Sequence, residues 1–287
     1  GFRFAELFAG VGGFRLGLEP LGGRCVFAAE VDPGARAVYR ENFGRRGEQE
    51  LEPLGDVESV DASDIPEHEL LTAGFPCQPF AQCNTGNAAL TGSLREGPGI
   101  HGRRHGGALA FEVVRILRER RPRAFLLENV PNLQNFNGGA DFAALEGALR
   151  AAGYDVHATV IDAKSFGLPQ QRKRLYIAGL LRTGVEKASA FCWPCPGDLQ
   201  APPLRAVLDP PEVVPRDCWL SEDTWSDILA RDPKACRISG RGGRLVRLGG
   251  YARTLTSSYR TRWRVMGELV PPGAAGAGEA GGAAAAE

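Results

Sequence analysis

One cysteine of the chain lies in a setting that favours nucleophilic chemistry. Cys77 stands between Pro76 and Gln78-Pro79, just after the apolar run Leu70–Ala73. Because proline fixes its own φ and restricts the residue before it, the thiol is held on a stiff backbone. The run predicts a short buried strand, and ligands of open α/β sheets bind beyond the carboxyl ends of such strands. Cys77 is therefore a candidate nucleophile, although a lone cysteine is more often a small buried apolar residue.

A glycine-rich turn near the amino terminus predicts an adenosine site. The turn 10–13 joins a predicted strand to a predicted helix, so its backbone can approach a ligand closely. A dinucleotide site would have a third glycine where this chain has Arg15. Glu30 and Asp56 are placed to bind ribose hydroxyls and an adenine amino group. The pattern favours an adenosine ligand without a pyrophosphate, and a glycine turn without any ligand is the alternative.

Two more polar segments adjoin predicted strands. Glu128 ends the apolar strand 124–128, at the same predicted sheet edge as Cys77. Since glutamate is rarely buried without a partner, Glu128 is either a functional carboxylate or a surface residue at a strand end. Arg172 and Arg174 share one face if their segment is extended, and paired arginines suit phosphate or carbonyl oxygens. A solvated basic turn is the alternative for this pair.

The elements that position these residues alternate along the first 180 residues. Predicted strands cover 2–8, 24–30, 71–74, 124–128, 154–161 and 174–180, and predicted helices cover 13–21, 33–43, about 109–121 and 141–152. This alternation predicts a doubly wound α/β fold with a mixed, mostly parallel, Rossmann-like sheet and a second, smaller irregular domain. The long loop 78–106 is interpreted as a mobile active-site lid, with a disordered insertion as the alternative.

Composition bounds the function further. The chain has 287 residues, no net charge and no apolar run of the roughly 18 residues that a membrane helix needs. Its seven cysteines have no disulfide-like spacing, which favours a reducing compartment, and Cys192 and Cys195 lack a tightly spaced second pair, so we expect no metal. The only methionine is Met266, so we expect a processed or excised piece of a longer chain.

The carboxyl-terminal third lacks the alternation of predicted strands and helices. Prolines cluster after residue 181, and we predict domains at 1–180 and 181–250, a return segment at 251–270 and a disordered Ala/Gly tail at 271–287. Arginine outnumbers lysine thirty to four, so the number of arginines is weak evidence for nucleic-acid binding and only clusters of them are informative. Between residues 237 and 264 there are eight arginines and no acidic residue, which predicts contact with a phosphate backbone, with a solvated basic segment as the alternative.

In this order, the motifs resemble those of the C5-cytosine methyltransferases of nucleic acids. The matching segments are Phe8–Phe14, Gly74–Phe80, Glu128–Val130 and Gln170–Arg174, and a weaker match resumes near residues 252–256. The resemblance implies a catalytic domain at 1–180, a target-recognition domain at 181–250 and S-adenosylmethionine as the methyl donor. The residues that would hold the donor are Phe8, Ala9, Gly10, Gly12, Gly13, Phe14, Glu30, Val31, Asp56, Val57 and Pro76.

The resemblance also implies a reaction on a flipped-out cytosine in double-stranded DNA. The thiolate of Cys77 would add to C6, Glu128 would hold N3 and the exocyclic amine, and Arg174 would offset charge at O2, supported by Arg172. Water is a candidate for removing the C5 proton. The residues expected to contact the substrate are Gln78, Asn129, Gln170, Arg241, Arg244 and Arg253. Such a protein acts inside the cell, in a nucleus or in the bacterial cytoplasm and nucleoid.

The chain departs from the family pattern in two places. The run 104–109 lacks the usual Asp-x-Arg-Gly-x-Leu, and nothing after Val270 resembles the family's closing Gly-Asn-Ala-Val segment. One alternative is a methyltransferase-like DNA-binding protein with impaired catalysis. Another is a transfer-RNA methyltransferase, although its Cys-Phe-Thr signature is absent, and a third is an oxidoreductase, which Arg15 disfavours. The target sequence, maintenance or de novo behaviour and oligomeric state stay open.

Overall fold

The chain divides into two compact units. A computed structural model describes residues 1–44, 53–76, 106–182, 191–197, 199–232, 234–236, 245–254 and 269–270. The first unit comprises Gly1–Ile161 and Arg174–Trp193, and the second comprises Asp162–Lys173 and Pro194–Glu287. The contact-based units thus place 162–173 with the second unit, whereas the functional boundaries drawn from the sequence stay a prediction. In the part of the chain that the structure describes, no helix is long and apolar enough to cross a membrane.

The first unit is built on a six-stranded sheet with helices between its strands. The strands of the chain are β1 (Phe2–Leu7), β2 (Gly23–Ala29), β3 (Leu70–Ala73), β4 (Ala124–Asn129), β5 (Tyr154–Asp162), β6 (Gln170–Gln171), β7 (Lys173–Leu181) and β8 (Ala252–Arg253). The helices are α1 (Gly13–Leu18), α2 (Pro33–Phe43), α3 (Gly106–Arg120), α4 (Ala140–Ala151) and α5 (Glu222–Arg231).

The order of the strands confirms the predicted fold class. The sheet runs β2-β1-β3-β4-β7-β5. Strands β1, β2, β3 and β4 are mutually parallel, and β7 is antiparallel to β4. The sheet is therefore mixed and mostly parallel, and each predicted strand of this unit is present with its bounds shifted by about a residue.

Local sequence signals explain where the helices begin and end. The Asp32 Oδ1 accepts a hydrogen bond from the backbone N–H of Ala35 at 2.7 Å, and Pro33 occupies the first turn of α2. Helix α3 ends before Arg121, whose φ of 49° leaves the helical region ahead of Pro122. These caps lie where the sequence predicts them, so α2 and α3 are set largely by local chemistry.

The core fills the space between the sheet and its helices. Leu7, Leu71 and Leu127 are wholly buried, together with Ile116 and Leu117 of α3. Each such side chain contributes about 1.5–3 kcal/mol when it leaves water. Because both faces of the sheet are covered, most residues of the central strands are apolar. This packing fixes the register of β1, β3 and β4, and so the place where each strand ends.

The second unit contains a helix that the sequence analysis missed and a short strand pair. The Ser221 Oγ accepts the backbone N–H of Thr224 at 3.2 Å and caps α5. Strands β6 and β8 pair in parallel, with Gln170 opposite Ala252 and Gln171 opposite Arg253. The segment near 252, where the family resemblance resumes, is thus tied to the Gln-rich segment that precedes Arg172.

Candidate active site

The strand register brings the predicted site residues to one sheet edge. Across the sheet, Leu7 pairs with both Ala29 and Ala73, and Ala73 pairs with Leu127. The residues that follow these positions therefore leave the sheet side by side. They are Glu30 after β2, Phe8 after β1, Gly74 after β3 and, at the end of β4, Glu128. This is the carboxyl edge at which ligands of parallel α/β sheets bind.

Glu128 and Arg174 form an ion pair at that edge. The Arg174 Nε lies 2.7 Å from the Glu128 Oε1, and their side chains are 17% and 24% exposed, respectively. Strand β7 runs antiparallel to β4 and pairs Leu175 with Asn129, so Arg174 meets the end of β4 at the start of β7. The structure thus places a carboxylate and a guanidinium, which come from separate sequence motifs, in direct contact.

The segment that leads into Cys77 lies beside this pair. A Cβ added to Gly74 would lie 3.8 Å from the Glu128 Oε2 and 4.0 Å from the Phe8 carbonyl oxygen. The buried side chain of Asn129 donates from Nδ2 to the Phe75 carbonyl at 3.1 Å. Its Oδ1 accepts the backbone N–H of Val130 at 2.9 Å. Asn129, predicted as a substrate contact, therefore ties β4 to the segment before the thiol.

The glycine loop, Phe8–Gly13, has a backbone that few other sequences adopt. Phe8, Gly10 and Gly12 have positive φ values of 53°, 56° and 90°. A Cβ on Gly12 would overlap the ring of Phe43 and approach the ring of Tyr39 at 3.1 Å. A glycine is therefore required at position 12 by conformation and by packing against α2.

Glu30 fastens the glycine loop to the end of β2. Its Oε2 accepts the backbone N–H of Gly10 at 2.8 Å, and its Oε1 accepts the backbone N–H of Asp32 at the same distance. The backbone N–H of Glu30 in turn donates to the Leu54 carbonyl at 2.8 Å, which brings the segment before Asp56 alongside β2. The Oδ1 of Asp56 accepts the backbone N–H of Glu58 at 3.1 Å.

The space beside the glycine loop suits an adenosine-type donor. A Cβ built on Gly10 or Gly13 meets no atom within 4 Å, so the backbone has an open flank among the described residues. Val31 is 64% exposed at the rim, whereas Val57 is buried in the core. Ala9 is buried and donates its backbone N–H to the Ala29 carbonyl at 2.9 Å. These features fit the predicted cofactor, with a carboxylate and open backbone where the sequence analysis expects them.

Comparison with known proteins decides which family this site belongs to. The C-5 cytosine-specific DNA methylase family matches residues 2–236. The chain belongs to this family. The Type II methyltransferase M.HhaI of Haemophilus parahaemolyticus is 38% identical over 265 residues, which cover 90% of this chain and 74% of the relative. M.MspI of a Moraxella species is 33% identical over 282 residues, covering 96% of this chain and 59% of the relative.

Solved structures agree with the fold of this C-5 cytosine methylase family. A DNMT2 variant of Spodoptera frugiperda superposes with a TM-score of 0.67 at 17% identity, covering 91% of this chain and 72% of that one. The methyltransferase EhMeth of Entamoeba histolytica superposes with a TM-score of 0.60 at 17% identity, covering 90% and 72%. These likenesses concern the fold alone. This chain also spans only 46% to 62% of the length of four Type II relatives.

The described residues of the chain do not include every predicted site residue. Cys77, Gln78, Arg241 and Arg244 lie outside them, as do most of the predicted lid and the predicted tail. Their predicted roles stay predictions. Pro76, the last described residue before the thiol, is partly buried, and Phe14 in the first turn of α1 is partly buried as well.

The second unit holds the other predicted contacts. The Gln170 Nε2 lies 3.5 Å from the Arg253 carbonyl across the β6–β8 pair, and the Arg253 side chain is exposed. The backbone N–H of Arg172 donates to the Asp162 Oδ1 at 3.1 Å, and the Arg172 carbonyl accepts from Ala163 at 3.1 Å. Arg172 is thus anchored through its backbone by residues that precede it by about ten positions.

Sequence reasoning missed two acidic residues that adjoin predicted site segments, one in each unit. Asp162 anchors Arg172, and its only sequence signal is an acidic residue at the end of a strand. Glu6 is wholly buried under the glycine loop. A glutamate in an otherwise apolar strand was its signal, since a buried charge requires partners.

Proposed function

We propose that this chain transfers a methyl group from S-adenosylmethionine to C5 of cytosine in double-stranded DNA. The observation that carries the proposal is the Glu128–Arg174 ion pair beside Gly74, three residues before Cys77. A carboxylate and a guanidinium, together with the nucleophile proposed at Cys77, suit the three positions of the cytosine ring at which charge changes. Membership of the C-5 cytosine-specific DNA methylase family supports the same chemistry.

The donor would be held by the glycine loop and by the segments that follow β2. Phe8, Gly10, Gly12 and Gly13 supply an open backbone face, and Glu30 and Asp56 supply carboxylates for the ribose and the adenine amine. Ala9, Phe14, Val31, Val57 and Pro76 complete the predicted set. When bound, S-adenosylmethionine supplies the methyl group that C5 accepts.

The base would be activated by residues on the other side of Gly74. The Cys77 thiolate adds to C6, which makes C5 nucleophilic and moves negative charge toward N3 and O2. Glu128 donates a proton to N3 and accepts a hydrogen bond from the exocyclic amine. The Arg174 guanidinium neutralises negative charge at O2. After C5 has accepted the methyl group, loss of the C5 proton to a base, for which water is the candidate, expels the thiolate from C6; N3 returns its proton to Glu128 and the aromatic ring is restored.

Reaching C6 requires the base to leave the duplex, which costs a few kcal/mol. Contacts along the phosphate backbone offset that cost. We assign those contacts to Gln78, Gln170, Arg241, Arg244 and Arg253, and a supporting role to Arg172. Asn129 acts through the Phe75 carbonyl by holding the segment that carries the thiol.

Covalent trapping tests the proposal. Fluorine at C5 blocks the elimination step, so duplex DNA containing 5-fluorocytosine and S-adenosylmethionine should leave the protein covalently attached to DNA. The adduct survives denaturing electrophoresis. Cys77→Ala should form none, whereas Cys218→Ala, which removes an exposed cysteine of the second unit, should form as much as the unmodified protein.

The substrates used in the trap separate the alternatives. Trapping on duplex DNA with no trapping on RNA is expected. An adduct that forms only on RNA would replace the DNA assignment with an RNA methyltransferase. No adduct on any DNA, from a folded protein that binds DNA, would indicate a binding protein without catalysis. Trapping that persists in Cys77→Ala would remove the proposed nucleophile.

A further inference from the structure

Beneath the glycine loop lies a buried polar cluster that the proposed reaction does not use. Glu6 of β1 and Tyr39 of α2 are wholly buried, and Arg15 of α1 is nearly so. The Tyr39 hydroxyl donates to the Glu6 Oε2 at 3.4 Å and accepts from the Arg15 Nη1 at 3.4 Å. The Cys25 Sγ lies 3.7 Å from the same hydroxyl. One tyrosine oxygen therefore joins a carboxylate, a guanidinium and a thiol.

The cluster contacts the glycine loop from below. Arg15 extends over the ring of Phe43 at 4.4 Å, and that ring fills the space next to Gly12. The Arg15 Nε pairs with the Glu19 Oε1 at 2.6 Å. Arg15 occupies the position at which a dinucleotide site has a glycine, and here it builds the floor of the loop.

Only one oxygen of the buried Glu6 carboxylate has a hydrogen-bond partner among the described residues. The other oxygen, Oε1, is buried and accepts no hydrogen bond within the part of the chain that the structure describes. Burial raises the pKa of Glu6 to about 7, and the backbone N–H groups of Arg15 and Phe14, with the Tyr39 hydroxyl, act in the opposite direction by favouring the ionised form. Glu6 therefore changes charge near neutral pH directly below the first turn of α1.

We infer that ionised Glu6 is a positioning residue for the glycine loop, which it holds through the Tyr39 hydroxyl and, beyond it, the Arg15 guanidinium over Phe43, so that donor affinity depends on pH. A carboxylate holds the Tyr39 hydroxyl about twice as strongly as a neutral acid does. When Glu6 takes up a proton, the first turn of α1 is held less firmly and the loop binds the donor less well. The inference rests on the proposed function because the loop must bind S-adenosylmethionine.

The other groups that face Glu6 keep their charge over this range. Arg15 on α1 stays protonated, and burial raises the pKa of Tyr39 on α2 and raises that of Cys25 on β2 to about 11. On β3 the residue paired with Glu6 is Thr72, which does not titrate. Near pH 7, the charge of this cluster therefore changes at Glu6.

The stability of the protein should change in the opposite sense to donor affinity. The pKa of Glu6 is about 7 in the folded chain and about 4.5 when unfolded, so the stability that protonated Glu6 contributes is complete below about pH 4.5 and lost by about pH 7. A Glu6→Gln variant keeps the shape without the charge. At pH 8.5 it should unfold at a higher temperature than the unmodified protein, measured without donor.

Donor binding by calorimetry tests the positioning role. At each pH, the donor dissociation constant of Glu6→Gln is divided by that of the unmodified protein. The donor's own titration affects both constants equally, so it cancels in this ratio. We expect a ratio of about ten at pH 8.5, equivalent to one charge-assisted hydrogen bond, and about one at pH 6. S-adenosylhomocysteine should give the same ratios. The positioning role is overturned if the ratio is the same at pH 6 and pH 8.5. It is also overturned if S-adenosylmethionine gives the pH-dependent ratio and S-adenosylhomocysteine does not.

Two further variants keep the test decisive. Tyr39→Phe keeps the ring against Phe43 but removes a donor to Glu6, so the pH midpoint of donor affinity should rise; an unchanged midpoint contradicts the network. Glu146→Gln removes an exposed carboxylate paired with Arg150 and should leave both ratios at one. If the unmodified protein binds no S-adenosylmethionine at any pH, the proposed function fails as well, whereas binding without the pH-dependent ratio overturns only the role of Glu6.

Discussion

The two halves of the sheet edge hold their carboxylates differently. In the donor half, formed by β1, β2 and the glycine loop, Glu30 accepts two backbone N–H groups. In the base half, formed by β4 and β7, Glu128 pairs with the side chain of Arg174, and both remain partly exposed. A carboxylate bound to its own backbone shapes a loop, whereas a carboxylate paired with a side chain at the surface can exchange that partner for a ligand. Under the proposed function, the half that binds the donor is therefore preformed, whereas Glu128 and Arg174 in the other half exchange partners when the base binds.

The largest expected effect comes from exchanging the two carboxylates for amides one at a time. Glu128→Gln should lower kcat by about 100- to 10,000-fold because the amide cannot donate a proton to N3. Its donor affinity should be unchanged. Glu30→Gln should show the reverse pattern, with weaker donor binding and a smaller loss of kcat. Single-turnover methylation and donor calorimetry measure the two quantities, and a shared loss of donor affinity in both variants would erase the distinction between the halves.

A backbone substitution tests whether the donor half is preformed. Gly12→Ala places a Cβ against Phe43 at a φ of 90°, so we expect a loss of about 2–4 kcal/mol in the free energy of unfolding. Gly17→Ala is the matched control, since a Cβ there meets nothing within 4 Å, and it should stabilise by about 0.5–1 kcal/mol. Denaturant titration measures the free energy of unfolding of both variants. If Gly12→Ala were as stable as Gly17→Ala, the glycine loop would adapt to the added side chain and would not be preformed.

The smallest expected effect concerns the link between the base half and the thiol. Asn129→Ala leaves the Phe75 carbonyl without its donor, at a cost of about 1–3 kcal/mol in stability. Turnover should fall more than donor affinity does, because the segment before Cys77 loses its anchor. Comparing kcat with the donor dissociation constant checks this, and Asn135→Ala, at an exposed position after β4, is the control. A fall in donor affinity alone would assign Asn129 to the other half.

The sequence predicts the frame of this site better than its contacts. The strand ends at Glu30, Gly74 and Glu128 follow from apolar runs and glycines, and the Asp32–Pro33 cap sets α2. These signals are local, so they can be read without tertiary information. The common sheet edge then follows from the parallel order of strands, which the structure confirms.

The contacts that escaped prediction join residues far apart in the chain. The Glu128–Arg174 pair depends on β7 returning antiparallel beside β4, which no local pattern encodes. The Tyr39–Glu6 contact spans 33 positions and requires α2 to pack under β1. Helix α5 is a different case, because its start has a local sequence signal. Ser221 is an N-cap residue and acidic residues follow it in the first turn, but the many prolines of the region led to its being interpreted as irregular.

Analysis of the methylated nucleoside tests the central claim most directly. Duplex DNA incubated with the protein and isotope-labelled S-adenosylmethionine is digested to nucleosides and separated by chromatography with mass detection. The Glu128–Arg174 pair, together with the nucleophile proposed at Cys77, predicts label in 5-methyl-2′-deoxycytidine, with none formed by Cys77→Ala. Label found instead in N4-methylcytosine or N6-methyladenine would contradict the account, since neither product needs addition at C6.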